Sequence, residues 1–321
     1  MGFPFIPSLM IFNRLFNLDG IDTFLLSLLT SLRRRLFTVN GRAGAFPLII
    51  FVFWLFSLNV LILDLFCSCR TSATFDFPLP STASFIQREL GKSDSGIPSY
   101  DINSSCLSFL SGLHVAASFI HLGIYNRIAI VTSEISSKSL DIDNIETYSL
   151  FGDGAVAFIL GKSKGNSYCQ DFKFNTYSEG AFYTAVKGGG NVMHHHNPDA
   201  INHEKDFYFQ MEGSKVLKFT IGKLHEFLEE YIEETGMEIN DYRHIIPHQA
   251  SKLALKYLKK HYNLNAEQLH LSLSKYGNTI AASIPITLYD AIEDDKIKRG
   301  DDILLLGTAA GITIGAASLK Y

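Results

Sequence analysis

The chain has 321 residues, a formal net charge of −4, a pI of about 6.3 and an apolar fraction of 47%. This length accommodates one large domain or two halves of about 150 residues, and the mildly acidic balance argues against a basic surface for nucleic acid. The four cysteines, Cys67, Cys69, Cys106 and Cys169, lack the spacing of a disulfide framework or a zinc site, so we expect a reducing, cytoplasmic compartment and no metal.

Residues 1–68 differ in composition from the rest of the chain. They contain five arginines and three aspartates but neither lysine nor glutamate, which first occur at Lys92 and Glu89. Residues 46–63 form an apolar run with arginines before it, which is long enough for a membrane anchor with its basic flank inside. Three interpretations stay open for this atypical segment: an anchor, a buried core segment, or an out-of-frame or misjoined reading of the gene.

Residues 69–165 have the pattern of a first α/β half. We expect a helix over residues 83–90, a strand over 100–103, a helix that has Cys106 in its first turn and a strand over 124–131. A glycine-rich turn at residues 152–154 leads into a further strand over 155–160. Strands and helices therefore alternate, which indicates α/β layers.

Residues 166–321 repeat this plan. An amphipathic helix is predicted over residues 216–234, ending at Gly236, followed by a short strand at 245–246 and a helix over 251–262. Two closing strands are predicted over 302–307 and 312–321, with a turn between them. Two halves of comparable plan suggest an internal duplication.

Cys106, His248 and Asn278 follow one another in an order that suits thioester chemistry. A cysteine at the start of a helix can be a thiolate nucleophile, because the unpaired N–H groups there favour negative charge. His and Asn side chains can donate hydrogen bonds to an enolate or oxyanion. Each residue taken alone is more often structural, as a packing cysteine, a satisfied histidine or a turn asparagine.

Papain-like proteolysis uses the same three residue types in the same order, with the histidine about 130 to 150 residues after the cysteine. His248 follows Cys106 by 142 residues, since 248 minus 106 is 142, so the spacing agrees. Residues 105–109 nevertheless lack the Cys-Gly-Ser-Cys-Trp context of that family, and the α/β alternation does not fit it.

Three adjacent histidines, His194 to His196, follow a run of three glycines. Adjacent residues on a loop cannot all converge on one ion, so we interpret them as part of a solvated loop and predict no metal site there.

Five sequence blocks resemble β-ketoacyl-acyl-carrier-protein synthase III. They occupy residues 101–106, 151–155, 247–251, 276–285 and 307–315, in the order and near the spacing of that family, and the resemblance covers residues 70–321. It implies an α/β, thiolase-like, five-layered α/β/α/β/α sandwich of two duplicated halves, here with an atypical N-terminal part. The resemblance also implies a cytoplasmic homodimer.

The resemblance assigns roles to the three residues. Cys106 would take an acyl group from acyl-CoA, and malonyl-acyl-carrier-protein would then lose carbon dioxide. His248 and Asn278 would stabilise the resulting enolate. The backbone N–H groups of Cys106 and Ala310 would hold the tetrahedral oxyanion. Neither a metal nor a redox cofactor is implied.

Further residues are candidates for substrate and partner binding. Leu79 lies in the segment that, in this family, crosses the dimer interface and forms the bottom of the partner's acyl pocket. Lys252 and Lys256, together with Lys259 and Lys260, share one face of a predicted helix. That face would dock acyl carrier protein or the phosphate of phosphopantetheine, and a merely solvated basic face is the competing interpretation.

Residues 1–68 depart from the family, which begins with a strand and a region that contacts the adenine of coenzyme A. Trp54 cannot be carried over to that region. Two alternatives to the condensing enzyme therefore stay open. One is a thiolase-fold acyltransferase of secondary metabolism, and the other is an inactive product of a gene with a damaged 5′ end.

Overall fold

The computed structural model describes residues 67–163, 165–194, 196 and 198–321, without the side chains of 198–202. The apolar run of residues 46–63, and with it the choice among the three interpretations of the first segment, lies outside these residues. Among the helices that the structure describes, none combines the length and the apolarity needed to cross a bilayer.

The described residues form two four-stranded sheets, one two-stranded ribbon and seven α-helices. The strands are β1 Cys67–Thr71, β2 Ser99–Ile102, β3 Arg127–Glu134, β4 Gly154–Gly161, β5 Tyr168–Thr176, β6 Thr184–Ala185, β7 Gln210–Met211, β8 His244–Pro247, β9 Asp302–Ala309 and β10 Thr313–Lys320. The helices are α1 Thr82–Glu89, α2 Ser108–His121, α3 Ile145–Tyr148, α4 Gly213–Thr235, α5 Lys252–His261, α6 Leu273–Tyr276 and α7 Ser283–Glu293.

The two sheets share part of their plan and differ in one strand pair. The first has the strand order β2-β1-β3-β4, and the second has the order β5-β10-β9-β8. In each sheet a strand that is parallel to its neighbour, β1 with β3 and β8 with β9, is followed by an antiparallel pair, β3 with β4 and β9 with β10. The remaining pair differs, because β1 is also parallel to β2, whereas β10 is antiparallel to β5. The shared part is what the duplication expected from the sequence would give.

Helices cover both faces of both sheets and give five layers. Helix α1 packs outside the first sheet, α2 and α7 lie between the sheets, and α4 packs against β5 and β10 on the outside of the second. Three clusters of buried apolar residues fill the spaces between these layers. The largest cluster includes residues of α2, α7 and both sheets, so the central layer joins the two halves.

Strand β1 was not predicted. It crosses the compositional boundary at residues 68–69, and all five of its residues are buried. It pairs in parallel with β2 and β3, so that Cys69 lies opposite both Tyr100 and Ile130. A central parallel strand is covered on both faces and has no polar alternation, which explains why the short sequence Cys-Ser-Cys-Arg-Thr gave no signal.

Two predicted element boundaries near Cys106 were wrong. Helix α2 begins at Ser108, so Cys106 precedes the helix and does not lie in its first turn. Strand β3 begins at Arg127, three residues later than predicted, because the N–H groups of Ile124 and Tyr125 are both bonded to the carbonyl of Phe119 at the end of α2.

Candidate active site

Cys106 lies in a tight turn between β2 and α2. Ser105, directly before it, has φ +51°, a left-handed conformation that is uncommon outside glycine. Local hydrogen bonds hold this turn: Ser105 N–H donates to Asn103 Oδ1 at 2.9 Å, and the Ser108 hydroxyl donates to Ser105 O at 2.6 Å. The left-handed residue turns the chain sharply, so that Cys106 is presented ahead of the helix.

Cys106 is partly buried at the surface of the fold but its sulfur is enclosed by protein atoms, and desolvation, with the charge of Glu134 second, raises the pKa of its thiol to about 12. The backbone N–H groups of Ala310 and Cys106 donate to the sulfur and oppose this rise. The sequence predicts a thiolate favoured by the helix start. The structure gives the opposite balance, because desolvation of the charged sulfur outweighs the donors around it.

His248 follows the last residue of β8 and is fixed through its backbone and its ring. Its backbone N–H donates to Leu306 O at 2.8 Å, and its Nδ1 lies 2.5 Å from the hydroxyl oxygen of Ser283. The side chain is almost fully buried, and burial lowers the pKa of the imidazole to about 4. His248 is therefore neutral near pH 7.

Asn278 lies on a loop that is clamped to the glycine-rich turn after α3. Its backbone N–H donates to Leu150 O at 2.9 Å, and its carbonyl accepts from Gly152 N–H at 3.1 Å. A Cβ on Gly152 would overlap the carbonyl oxygen of Tyr276, so only glycine permits this approach. The side-chain Oδ1 accepts from Ile280 N–H at 2.9 Å, which leaves the Nδ2 hydrogens of Asn278 for another acceptor.

Gln249 joins the loop of His248 to the loop of Asn278. Its side chain is fully buried, and its Nε2 donates to Pro247 O at 2.7 Å. Its Oε1 accepts from the N–H groups of Ser272 and Leu273, at 2.9 and 3.1 Å. Leu273 begins α6, the helix that ends directly before Gly277 and Asn278.

The turn that carries Cys106 and the turn that carries His248 both pack against β9. A Cβ on Gly307 of β9 would come within 2.9 Å of both His248 Cβ and Leu107 Cδ2. His248 and the residue after Cys106 therefore both approach β9 at Gly307. Ala310 follows β9, and its backbone N–H lies near enough to the Cys106 sulfur to lower the pKa of the thiol. The site thus combines one thiol, two backbone N–H donors and two neutral side chains.

The other predicted residues lie at the surface. The side chain of Leu79 is 86% exposed, on the loop before α1. Lys252 and Lys256 are exposed on α5, with Lys259 and Lys260 on the following turn. All of these side chains are accessible to another molecule.

The sequence did not single out three buried polar residues around the site, namely Glu134, Gln249 and Ser283. Glu134 accepts hydrogen bonds from Ala73 N–H and Thr74 N–H at 2.8 and 3.0 Å, and so ties the end of β3 to the loop after β1. A carboxylate as the last residue of a largely apolar strand was a usable signal for Glu134. Gln249 and Ser283 lie inside quoted motif blocks but carry no charge, and only their contacts reveal what they do.

His194 and His196 are exposed, as a solvated loop requires, while His195 lies outside the described residues. His196 N–H donates to His194 Nδ1 at 3.3 Å. Within the part of the chain that the structure describes, no three or more His, Cys, Asp or Glu side chains are grouped so as to hold a metal ion.

Most of the described chain is similar to proteins of known family. Residues 100–180 match the family described as 3-oxoacyl-[acyl-carrier-protein (ACP)] synthase III, and residues 232–321 match its C-terminal counterpart. A β-ketoacyl-[acyl-carrier-protein] synthase III of Fusobacterium nucleatum is 32% identical over 250 residues, which cover 78% of this chain and 75% of that protein. The chain belongs to the 3-oxoacyl-[acyl-carrier-protein] synthase III family.

Solved structures extend this similarity to the three-dimensional fold. The 3-oxoacyl-[acyl-carrier-protein] synthase III of Aquifex aeolicus superposes with a TM-score of 0.70 and 30% identity, covering 80% of this chain and 77% of that one. A 3-oxoacyl-(acyl-carrier protein) synthase of Burkholderia xenovorans gives a TM-score of 0.74 at 24% identity, covering 88% and 81% of the two chains. The synthase III resemblance and the thiolase-like α/β fold predicted from the sequence are thereby confirmed.

Proposed function

We propose that this synthase III family member catalyses the decarboxylating Claisen condensation of an acyl-CoA with malonyl-acyl-carrier-protein, and so starts fatty acid or related acyl-chain synthesis. One observation carries the proposal. Cys106 lies beside two backbone N–H donors, while His248 and Asn278, both neutral, are fixed on adjoining loops. A thiol nucleophile and two sets of fixed donors suit two oxyanions that form in succession.

In the first half-reaction, Cys106 Sγ attacks the thioester carbonyl of the acyl-CoA. The negative charge that develops on the carbonyl oxygen is held by the N–H groups of Cys106 and Ala310, the two groups that point at the sulfur in the free protein. Collapse of the intermediate releases coenzyme A as its thiol, and the acyl group stays on Cys106. Removing one such donor typically costs about 3 kcal/mol of barrier.

In the second half-reaction, malonyl-acyl-carrier-protein loses carbon dioxide, and the bonding electrons pass to an enolate. His248 and Asn278 stabilise the enolate oxygen as neutral hydrogen-bond donors. The enolate carbon then attacks the acyl-Cys106 carbonyl, and Cys106 leaves as product forms. A fixed pair of donors lowers this barrier because it needs no reorientation during the reaction.

The exposed residues support a proposal for two partners, acyl carrier protein and a second copy of the chain. We propose that Lys252 and Lys256 receive acyl carrier protein, since both are exposed on α5 and neither forms an ion pair with a described residue. We further propose a homodimer in which the exposed Leu79 reaches the partner's acyl pocket. The cysteines at 67, 69, 106 and 169 are all free thiols, which fits the cytoplasm.

The proposal includes no metal or redox cofactor, because condensation through an acyl-cysteine requires neither. We also propose that the chain after residue 68 consists of two halves. Residues 69–165 contain Cys106, and residues 166–321 contain His248 and Asn278.

Intact-protein mass spectrometry after incubation with a panel of acyl-CoA thioesters tests the first half-reaction. We expect a mass gain of one acyl group, which identifies the preferred primer, and no gain in Cys106→Ala. Malonyl-acyl-carrier-protein is then added and released carbon dioxide is measured. Acylation without carbon dioxide release would favour the acyltransferase alternative, and no acylation of a folded chain would favour an inactive gene product.

A further inference from the structure

We propose that Ser283 is a positioning residue that holds His248 in the tautomer with its proton on Nε2, so that His248 acts as a donor to substrate and not as the base for Cys106. The inference deepens the proposed function and rests on it for the identity of the substrate. It concerns a residue that touches His248 and not the reacting atoms.

The hydrogen bonds of Ser283 determine the direction of its contact with His248. Its hydroxyl oxygen accepts from Gln249 N–H at 3.3 Å and lies 2.5 Å from His248 Nδ1. The residue is 1% exposed, so its hydroxyl proton has no route to bulk water. Among the described residues, His248 Nδ1 is the group placed to accept that proton. If Nδ1 carried the proton instead, the buried hydroxyl hydrogen would lack an acceptor, which is unfavourable.

This direction fixes the imidazole. Nδ1 must offer a lone pair, so the single proton of the neutral ring lies on Nε2. The ring is neutral near pH 7 because burial lowers the pKa of His248 to about 4. Within the described residues no side chain or backbone group is bonded to Nε2, so its N–H is available to a substrate oxygen. Asn278 is prepared in the same way, because its Oδ1 is occupied by Ile280 N–H.

The two half-reactions therefore use His248 differently. In the acylation step, Nε2 has no lone pair to take the Cys106 proton, and that proton ends on the sulfur of coenzyme A. In the decarboxylation step, Nε2–H donates to the enolate oxygen. A defect at Ser283 should consequently weaken the second half-reaction and spare the first.

The test compares Ser283→Ala with the unaltered protein in each half-reaction. We expect acylation of Cys106 by acyl-CoA to stay within about threefold, because no donor in that step is changed. Carbon dioxide release from malonyl-acyl-carrier-protein should fall roughly tenfold to a hundredfold in kcat, with little change in KM, since a fixed donor is lost and not a binding contact.

Thr287→Val is the matched control. Thr287 lies one turn later on α7, its hydroxyl is 2.5 Å from that of Ser272, and it donates to the carbonyl of Ser283 at 2.7 Å. The variant removes a buried hydroxyl from the same helix without touching the ring of His248. We expect it to lose some thermal stability but to keep the ratio of the two half-reactions.

The ¹⁵N shifts of the histidine rings, assigned with His248→Gln, supply a readout that needs no substrate. We expect the Nε2-protonated pattern for His248 in the unaltered protein and a partial change to Nδ1 in Ser283→Ala. An Nδ1-protonated ring in the unaltered protein, or equal loss of both half-reactions in Ser283→Ala, would overturn the inference. Failure of the unaltered protein to release carbon dioxide would refute the proposed function alone.

Discussion

Cys106, the proposed nucleophile, lies in an environment that keeps its thiol protonated. Burial and Glu134 raise the pKa of the thiol to about 12, although two backbone N–H groups donate to the sulfur. These donors become valuable only when negative charge moves onto the acyl oxygen, after the sulfur has attacked. The site is thus complementary to the transition state more than to a resting thiolate.

This charge balance predicts how Cys106 reacts with iodoacetamide in the absence of substrate. Only the thiolate is alkylated, so its rate should rise about tenfold per pH unit from pH 7 to 10 and not level off near the ordinary thiol value. The rate at Cys106 is measured by peptide mass spectrometry, with a small free thiol in the same reaction as the control. A plateau at or below pH 9 would show that the thiolate is stabilised in the free protein after all.

At the scale of single elements, the sequence predicted the ends of some helices but not the turn before Cys106. Helix α4 ends where Gly236 adopts φ +69°, as the glycine stop signal indicated, and Ser251 caps α5 by accepting from Ala254 N–H. These signals are local, so they can be read from a few neighbouring residues. The turn before Cys106 could not be predicted in this way, because the left-handed conformation of Ser105 depends on packing and not on residue type.

In the candidate site, too, some features were predictable from the sequence and others were not. Cys106, His248 and Asn278 were predicted from their order and their motif blocks, and their catalytic roles stay predictions. The direction of the Ser283 hydrogen bond and the high pKa of the Cys106 thiol depend on residues that are distant in sequence, such as Glu134. No spacing rule reports such contacts, because burial is a property of the folded chain.

The contact between the glycine-rich turn and the Asn278 loop predicts the effect of Gly152→Ala. The new Cβ would overlap the backbone carbonyl of Tyr276, which cannot move aside as a flexible side chain can. We expect a loss of about 1–3 kcal/mol of stability and a larger loss of decarboxylation than of Cys106 acylation, because Asn278 is displaced.

Gly222→Ala is the control for Gly152→Ala. Gly222 lies within α4 and a Cβ there meets no atom within 4 Å, so alanine should stabilise the helix by up to about 1 kcal/mol. Thermal unfolding and the two half-reactions are measured on both variants. Unchanged decarboxylation in Gly152→Ala would mean that this contact does not position Asn278.

At the scale of the whole molecule, buried titratable groups limit the stable pH range on both sides. Burial lowers the pKa of His248 and of His270 to about 4, so between pH 6.5 and 4 the unfolded chain binds protons that the folded chain does not. Stability should therefore fall as the pH drops through this range. Burial raises the pKa of Cys69 to about 12, so stability should also fall as the pH rises above about 9.

The melting temperature measured from pH 4 to 11 tests this expectation. We expect the melting temperature to be constant between about pH 6.5 and 9 and to fall on both sides. Each group changes the free energy of unfolding there by up to about 1.4 kcal/mol per pH unit. Cys69→Ala should make the alkaline limb shallower, whatever its effect on stability at neutral pH. An alkaline limb of unchanged slope in this variant would show that the Cys69 thiol does not cause it.

The side chain of Gln249 makes four hydrogen bonds, to the carbonyls of Pro247 and His270 and from the N–H groups of Ser272 and Leu273, and they limit how the sequence of this protein can diverge. One buried amide holds the strand end that carries His248 and the turn that leads to Asn278, so neither donor can be moved without disturbing the other. Mutations that adapt the family to new primers are therefore expected to accumulate in surface-exposed segments such as the Leu79 loop, while the two donor loops are inherited together as one unit.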